Sequence, residues 1–445
     1  MSLKISRILH AGYIFECGET KIAFDPIFEN PFSKNCYAFP NVEFDHVQIK
    51  NLKLDAVFIS HYHDDHCSLE SLNDLRRDTP IFLYCIFEEL FSLIRKLGFT
   101  HVYPLKIDQS VKIGDFRIIP RRALDEDVDS IFHIEANGLN VLNVVDSWID
   151  EPTLELLRDT QWDMILWPFQ TMREIEVLSP SKASPPNEHL PREWISQLRI
   201  LKPRWIIPSS CQFIHETWSW YNQAFFPISY AQFRNEIEAK VPGSRVVRLD
   251  PSVSVLLSEK SLEESPHLSW LKQTADQIVD YEFTSDLKAP PTSEIAQHFD
   301  MLTPNEANIV YDYCRHGLLE KYRSMETSLE KYFDKPRTWR LSVYDHLGEA
   351  EHFFFQLKQS DIQPTSCESL PEWTTEIPLA KFYAALALGE SLTSLYMRIN
   401  DFVFDFKIEH EIRSADIVED PLIRCLFTGV FAAYQMAQFK RLTLQ

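Results

Sequence analysis

No pair among the eight cysteines, Cys17, Cys36, Cys67, Cys85, Cys211, Cys314, Cys367 and Cys425, has the C-x-x-C spacing. A zinc ribbon, a redox dithiol and a Rieske cluster built on this chain are therefore excluded. The cysteines lie in apolar stretches such as "FLYCIF", where free, buried thiols are the default in a reducing compartment. No apolar run approaches the roughly 20 residues that span a bilayer. The opening "MSLKISRILHAGYIF" has no long apolar core followed by a small-residue cleavage site. The chain reads as cytoplasmic. Positive charge is scarce: 44 Lys and Arg stand against 65 Asp and Glu, a net charge of -21. Nucleic acid and anionic membrane would both be repelled, so the expected partner is a small molecule, and a local cationic pocket would still admit an anionic one. Internal repeats and low-complexity tracts are missing as well.

What is present is an ordinary globular composition, 45% apolar and aromatic over 445 residues, enough for two or three domains at roughly 150 residues each. Residues 1–258 alternate strands with helices. "GYIFECGETKIAF" is a hairpin pattern about a Gly turn, and Asn137-Gly138 in "HIEANGLNVLN" is a strong hairpin signal. "LDAVFIS", "TPIFLYCI", "DMILWPF" and "RWIIPSS" read as buried strands. "LESLNDLRR", "FEELFSLIRKLG", "TLELLRDT" and "PREWISQLRILKP" read as helices. The pattern predicts an α/β sandwich with helices outside two central sheets. Residues 259–295 turn charged and end in a Pro-Pro breaker, so a linker is expected there. Residues 296–445 read as a smaller α+β domain: helices, a hairpin from "TWRLSVYDH" to "EHFFFQLKQS", then more helices. It has no catalytic cluster, and its expected role is homo-oligomerisation or cover for the site.

The chemistry concentrates in "AVFISHYHDDHCSLESL", residues 56–72. His61 and His63 are one residue apart and can aim at one point from an extended turn. Asp65 and His66 follow as the chain swings into a helix near Ser68. Four imidazole and carboxylate donors from one loop suit zinc, iron or manganese, and nothing there is soft enough to favour copper(I).

H-x-H-x-D-H after an apolar strand resembles the signature of the metallo-β-lactamase superfamily, matched by His61, His63, Asp65 and His66. That resemblance implies an αββα sandwich over residues 1–258. "HAGYIFECGETKIAFDPIF" is similar to the opening of its ascorbate-phosphate lactonase and N-acylethanolamine phospholipase D branch, where a His and an Asp-Pro border the metal site; His10 and Asp25 match them. The family's bridging aspartate is matched by Asp146 in "LNVLNVVDSW". "ILKPRWIIPSSCQFIHE" and "LPEWTTEIPLAKFYAALALGESLTSLYMRIN" resemble parts of CMP-N-acetylneuraminate hydroxylase and its bacterial relatives. Their oxygenase chemistry needs the Rieske centre that this chain lacks.

Two positions depart from the family. Its third histidine falls in "RRALDEDVDSIFHIE", which offers Asp125, Asp127 and Asp129, with His133 inside a strand as a packing residue. An aspartate ligand, for which Asp125 is a candidate, would favour harder ions such as manganese or iron(II). Its last ligand falls after "RWIIPSS", which offers Ser209 and Ser210, with His215 a few residues on as the replacement candidate. Around the expected pocket, Trp218, Trp220, Tyr221, Phe225 and Phe226 read as core packing or as an aromatic wall. Arg121 and Arg122 are a candidate clamp for an anion, and His189 reads as a solvated loop residue.

The resemblance implies a metal-dependent hydrolase with one or two divalent ions, zinc foremost and manganese or iron as alternatives. Such an ion lowers the pKa of bound water enough to supply hydroxide near neutral pH. Asp65 would orient that nucleophile or take its proton, and His10 and Asp25 would line the pocket edge. The substrate would be a phosphoester, lactone or related small molecule. Two other readings remain: a component of an oxygenase system whose iron–sulfur centre comes from a partner, and a metal-binding protein without turnover.

Overall fold

The computed structural model describes residues 2–444 apart from 170, 277–278, 329, 367–369, 402–410, 413–414 and 429–430. The chain forms two compact units. The first comprises residues 1–172, 187–283 and 438–445, and the second 173–186 and 284–437.

The first unit opens with β1 (Leu3–Arg7), β2 (Tyr13–Cys17) and β3 (Thr20–Phe24), antiparallel neighbours in sequence order. Gly18, at φ +58°, makes the tight turn between β2 and β3, a left-handed conformation that costs glycine little. The short β4 (Tyr37–Ala38) and β5 (Val42–Phe44) precede β6 (Ala56–Ile59), β7 (Ile81–Leu83) and β8 (Val102–Pro104). These last three continue the sheet in parallel from β3.

A second sheet begins with β9 (Val111–Ile113), β10 (Phe116–Arg122), β11 (Ser130–Ala136) and β12 (Leu139–Asn143), an antiparallel meander. Asn137 and Gly138, both at positive φ, make the β11–β12 turn, as the dipeptide predicts. Parallel β13 (Met164–Pro168) and β14 (Trp205–Ser209) follow, then the short β15 (Phe213–Ile214), which pairs with β4, and β16 (Arg245–Val246) beside β14. β17 (Ser254–Leu257) returns to pair with β1, and β18 (Leu262–Ser265) closes that edge.

Alternate residues of the two sheets meet in one core: Ile5, Phe15, Phe24 and Phe58 from one, Ile118, Phe132, Val141 and Leu166 from the other. The opposite faces are buried too, with Ile14, Val57, Ile59, Leu142, Ile165 and Ile206 all at 0–1% exposure. A central strand buried on both sides needs cover on both sides. Helices over Glu88–Lys96, Glu151–Leu157, Arg192–Leu201 and Tyr230–Lys240 lie between the strands that require it. This is the αββα sandwich.

The linker expected over 259–295 is divided differently. Residues 262–265 form β18, and β19 (Leu271–Gln273) pairs with β5, so the stretch to 283 is part of the first unit. Its charges are consistent with an edge strand: Glu263 and Glu264 of β18 are exposed, and edge strands carry charge to block further pairing. Residues 438–445 also belong to this unit. Gln438 Oε1 accepts the Leu69 N–H at 2.7 Å, and Arg441 pairs with Glu70 at 2.9 Å.

The second unit holds a five-stranded sheet of β20 (Arg337–Tyr344), β21 (Ala350–Lys358), β22 (Asp361–Pro364), β23 (Trp373–Pro378) and β24 (Arg398–Ile399), in the order 22-21-20-23-24. The β20–β21 hairpin falls where the sequence places it. Residues 173–186 join this unit because Leu178 enters its core and the Ser181 N–H donates to Asp401 Oδ1 at 2.7 Å. Asp420 ties the sheet of this unit to the helix that follows it. One oxygen caps the helix Pro421–Phe427, accepting from the Leu422 and Ile423 N–H groups, and the other accepts from Trp373 Nε1 and Thr375 Oγ1. Asp420→Ala orphans all four donors at a fully buried position. A lost cap and unpaired buried donors together are expected to cost about 3 kcal/mol, read as a lowered urea midpoint.

Among the described residues, no helix is long and apolar enough to cross a membrane. No disulfide joins the seven described cysteines, all of them buried; Cys367 lies outside the described residues.

Candidate metal centre

Parallel β3 and β6 end side by side, with Phe24 opposite Phe58. Asp25 and the loop from Ser60 therefore emerge together, as ligand-binding loops do at the carboxyl ends of parallel strands. Asp25 is fully buried and its carboxylate can only accept hydrogen bonds. Oδ1 takes the Ser60 N–H at 2.7 Å; Oδ2 takes the Ser60 hydroxyl at 2.7 Å and His66 Nδ1 at 3.0 Å. His66 must then carry a proton on Nδ1. Since the Ser60 hydroxyl proton is committed to Asp25, Ser60 Oγ accepts from His61 Nδ1, 2.9 Å away. One carboxylate thus fixes a proton on the outer nitrogen of His66 directly and of His61 through Ser60, and leaves both Nε2 atoms facing inward. Metal-binding histidines are held in this way, the outer N–H donating to an oxygen acceptor so that the other nitrogen is free for an ion.

Inside, His61 Nε2 lies 3.0 Å from His63 Nδ1 and 3.7 Å from Asp146 Oδ1. His66 Nε2 lies 3.0 Å from Asp146 Oδ2. Asp146 follows β12, and Val145 before it, at φ +62°, turns the chain so that the carboxylate reaches both histidines. One donor atom from each of His10, Asp65, His66 and Asp146 lies within 4.8 Å of the others. Imidazole and carboxylate donors gathered this closely fit a divalent ion of this fold.

The electrostatics agree. Burial opposes charge at Asp65 and Asp146, yet His66 and the other imidazoles pull both below the ordinary carboxylate range. Burial opposes charge at His66 too, and Asp146 and Asp65 hold it well above its ordinary value. Without an ion, a proton on His66 Nε2 occupies the ion's place, so binding and protonation compete. His10 differs: burial, the largest influence, pushes it down.

The remaining residues singled out in the sequence fall as follows. Asp125 and Asp127 are exposed in a turn, Asp125 Oδ1 accepting the Asp127 N–H, and neither reaches the cluster. Asp129 does reach it, but from behind: Oδ1 is 3.4 Å from the outer nitrogen of His61, and Oδ2 accepts from Ser147. The turn geometry that selects Asp129 over its neighbours depends on Ser130, whose N–H and hydroxyl both bond Ser60 O, and no local pattern reveals it. His133 bonds Asn140 at 3.0 Å and packs on Trp162. His215 stands outside the donor cluster, 3.2 Å from Asn35 Nδ2 and packed among Phe213, Tyr221 and Phe225. Tyr221, Phe225 and Phe226 are core, while Trp218 and Trp220 are half-buried. Arg121 pairs with Asp108, and Arg122 with Glu126 and Asp150. His189 is exposed and faces Glu236. Sequence reasoning missed Ser60 and Arg7. The Arg in the buried strand "LKISR" is the one signal that pointed to the latter.

Residues 4–153 match the family model described as Beta-lactamase superfamily domain. Over 152 residues the chain is 27% identical to cytidine monophosphate-N-acetylneuraminic acid hydroxylase of Danio rerio, covering 32% of this chain and 26% of that protein. It is 26% identical over 152 residues to the inactive human protein of that name, covering 32% and 30%. The match thus spans under a third of the length of these relatives. Among solved structures, Igni18, a metallo hydrolase from Ignicoccus hospitalis, is 19% identical with a TM-score of 0.41, covering 58% of this chain and 99% of that one. CmlA, a diiron β-hydroxylase from Streptomyces venezuelae, is 15% identical with a TM-score of 0.41, covering 57% and 54%.

Proposed function

We propose, from the metallo-β-lactamase superfamily domain that residues 4–153 carry, that the chain is a metal-dependent hydrolase of a small molecule. The observation that carries the reading is the inward-facing Nε2 of both His61 and His66, each opposite an oxygen of Asp146. His61, His63, Asp65, His66 and Asp146 would hold one or two divalent ions, zinc foremost, with manganese or iron as alternatives. A bound ion supplies Lewis acidity and brings the pKa of water down to about 7. The chain's own residues do the rest. Asp25 and Ser60 hold the two imidazoles in the binding tautomer. Asp146 joins the two halves of the site, and Asp65, beside His66 and His10, orients the attacking group and takes its proton.

The likeness of "HAGYIFECGETKIAFDPIF" to the ascorbate-phosphate lactonase branch favours an anionic lactone or phosphoester. The seven described cysteines, buried and joined by no disulfide among the described residues, favour a cytoplasmic setting. The second unit has no assigned chemistry in this reading and serves homo-oligomerisation, which light scattering of the intact protein tests.

The reading is tested by elemental analysis of the purified protein together with a panel of lactones, phosphoesters and esters. Stoichiometric metal and turnover that disappears in His61→Ala are expected. A protein without stoichiometric metal, whose behaviour His61→Ala leaves unchanged, would sink it. A second reading, an oxygenase component served by a partner's iron–sulfur centre, is favoured by the 152-residue likeness to the hydroxylases. Bound iron with no turnover across the panel would select it.

A further inference from the structure

His10 belongs by distance to the group that could hold an ion, and with Asp65, His66 and Asp146 it would make four protein donors. Hydrogen-bond polarity says otherwise. The chain after β14 runs through Ser210 and Cys211, both left-handed at φ +60° and +45°, and this aims the Cys211 N–H at His10 Nδ1, 3.1 Å away. A backbone N–H can only donate, so Nδ1 must offer its lone pair and cannot hold a proton. An uncharged imidazole whose Nδ1 is bare carries its proton on Nε2. That nitrogen faces Asp65 Oδ2 at 3.1 Å and His66 Nε2 at 3.2 Å. A nitrogen that holds a proton has no lone pair for a metal. His66 is the opposite case: its Nδ1 donates to Asp25, which frees Nε2.

The turn that carries His10 is built to keep this orientation. His10 is itself at φ +53°. Its carbonyl accepts from the fully buried Arg7, whose guanidinium also bonds Pro208 O at 2.9 Å and Leu249 O at 3.1 Å. Gly12 closes the turn where a Cβ would lie 2.8 Å from Asp25 O and 2.9 Å from Leu9 O. The imidazole is therefore locked to the loop after β14. Where the family's last metal ligand is expected, this chain supplies a backbone donor that sets a tautomer.

We infer that His10 is a positioning residue and not a ligand: its Nε2–H donates to Asp65 Oδ2 and holds that carboxylate in place, leaving Asp65, His66 and Asp146 as the protein donors on this side. The consequence is functional. Four protein ligands make a closed, structural site, whereas three leave a position for water or substrate. The inference rests on the metal reading proposed above.

The test compares zinc binding by the full-length protein and its His10→Gln, His10→Ala and His66→Ala variants. Zinc is followed by competition with a chromophoric chelator, and 15N spectra of the histidine-labelled, zinc-loaded wild type are recorded alongside. Gln can donate an N–H to Asp65 but is a poor zinc ligand. Zinc affinity of His10→Gln within about threefold of wild type is expected, with a loss of about tenfold in His10→Ala and at least a hundredfold in His66→Ala. The wild-type spectra should show a proton on His10 Nε2 with zinc bound. A loss in His10→Gln as large as in His66→Ala, or a zinc-bound His10 Nε2 in the wild-type spectra, overturns the inference while leaving the metal reading intact. Absence of zinc binding by the wild type overturns both.

Discussion

Asp146→Asn is expected to reduce ion affinity on the order of a thousandfold and turnover by at least as much, while leaving the fold intact. Asp146 presents its two oxygens to the two inward-facing histidines, 3.7 Å from His61 Nε2 and 3.0 Å from His66 Nε2. Asparagine keeps the shape but removes the negative charge, and its NH2 must occupy one of those two positions. Whichever half receives the NH2 meets a donor where it had an anionic acceptor. Changes to outer-shell partners alone cost roughly 10–100-fold in metal affinity, and loss of a shared charged ligand should exceed that. A thousandfold loss of turnover corresponds to about 4 kcal/mol of transition-state stabilisation. Stability of the ion-free protein should fall, because there the Asp146 carboxylate is held ionised by His66 and His61, whose attraction outweighs the repulsion from Asp65. Elemental analysis, with thermal unfolding in the presence and absence of chelator, reads both effects. A variant that retains full metal and activity would mean that the two halves do not depend on this carboxylate.

The histidine-rich loop was legible because it is local. His61, His63, Asp65 and His66 are within six residues of one another, after a strand whose apolar run announces its end. Asp146 was legible for the same reason, as an aspartate just past a strand. What was not legible is set by contacts between chain segments far apart. Asp129 differs from Asp125 and Asp127 only in how the turn before β11 docks on Ser60. The Cys211 N–H matters because two left-handed residues point it across 201 positions of sequence at His10, and neither Ser210 nor Cys211 belongs to the types that usually adopt that conformation. His215, the sequence's substitute for the last ligand, is held instead by Asn35 and an aromatic cage. The unit boundary rests on such pairing too: the charged run after residue 258 includes the edge strand β18, and charge alone does not separate an edge strand from a linker. β23, buried at every position, shows no alternation to read.

Asp25→Asn is expected to weaken ion binding roughly 10–100-fold and to destabilise the first unit by about 3 kcal/mol. The backbone is not the cause: Asp25 sits at φ +40°, a region where asparagine is as tolerant as aspartate. The chemistry is. If the new NH2 takes the Oδ2 position, it donates toward Ser60 Oγ and His66 Nδ1, and His66 must move its proton to Nε2, the atom that should face the ion. If the NH2 takes the Oδ1 position instead, it opposes the Ser60 N–H, 2.7 Å from that oxygen in the wild type, at a site with no exposure to water. Either way a donor meets a donor, or a ligand is switched off. Ser60→Ala makes the contrast. It removes only the hydroxyl that links Asp25 to His61, so His61 loses its orienting partner while His66 keeps its own. Ion binding in Ser60→Ala should weaken less than in Asp25→Asn, and the His66 tautomer seen by 15N spectroscopy should stay as in the wild type. Equal losses in the two variants would show that Asp25 acts through Ser60 alone, and the double role assigned to this carboxylate would be wrong.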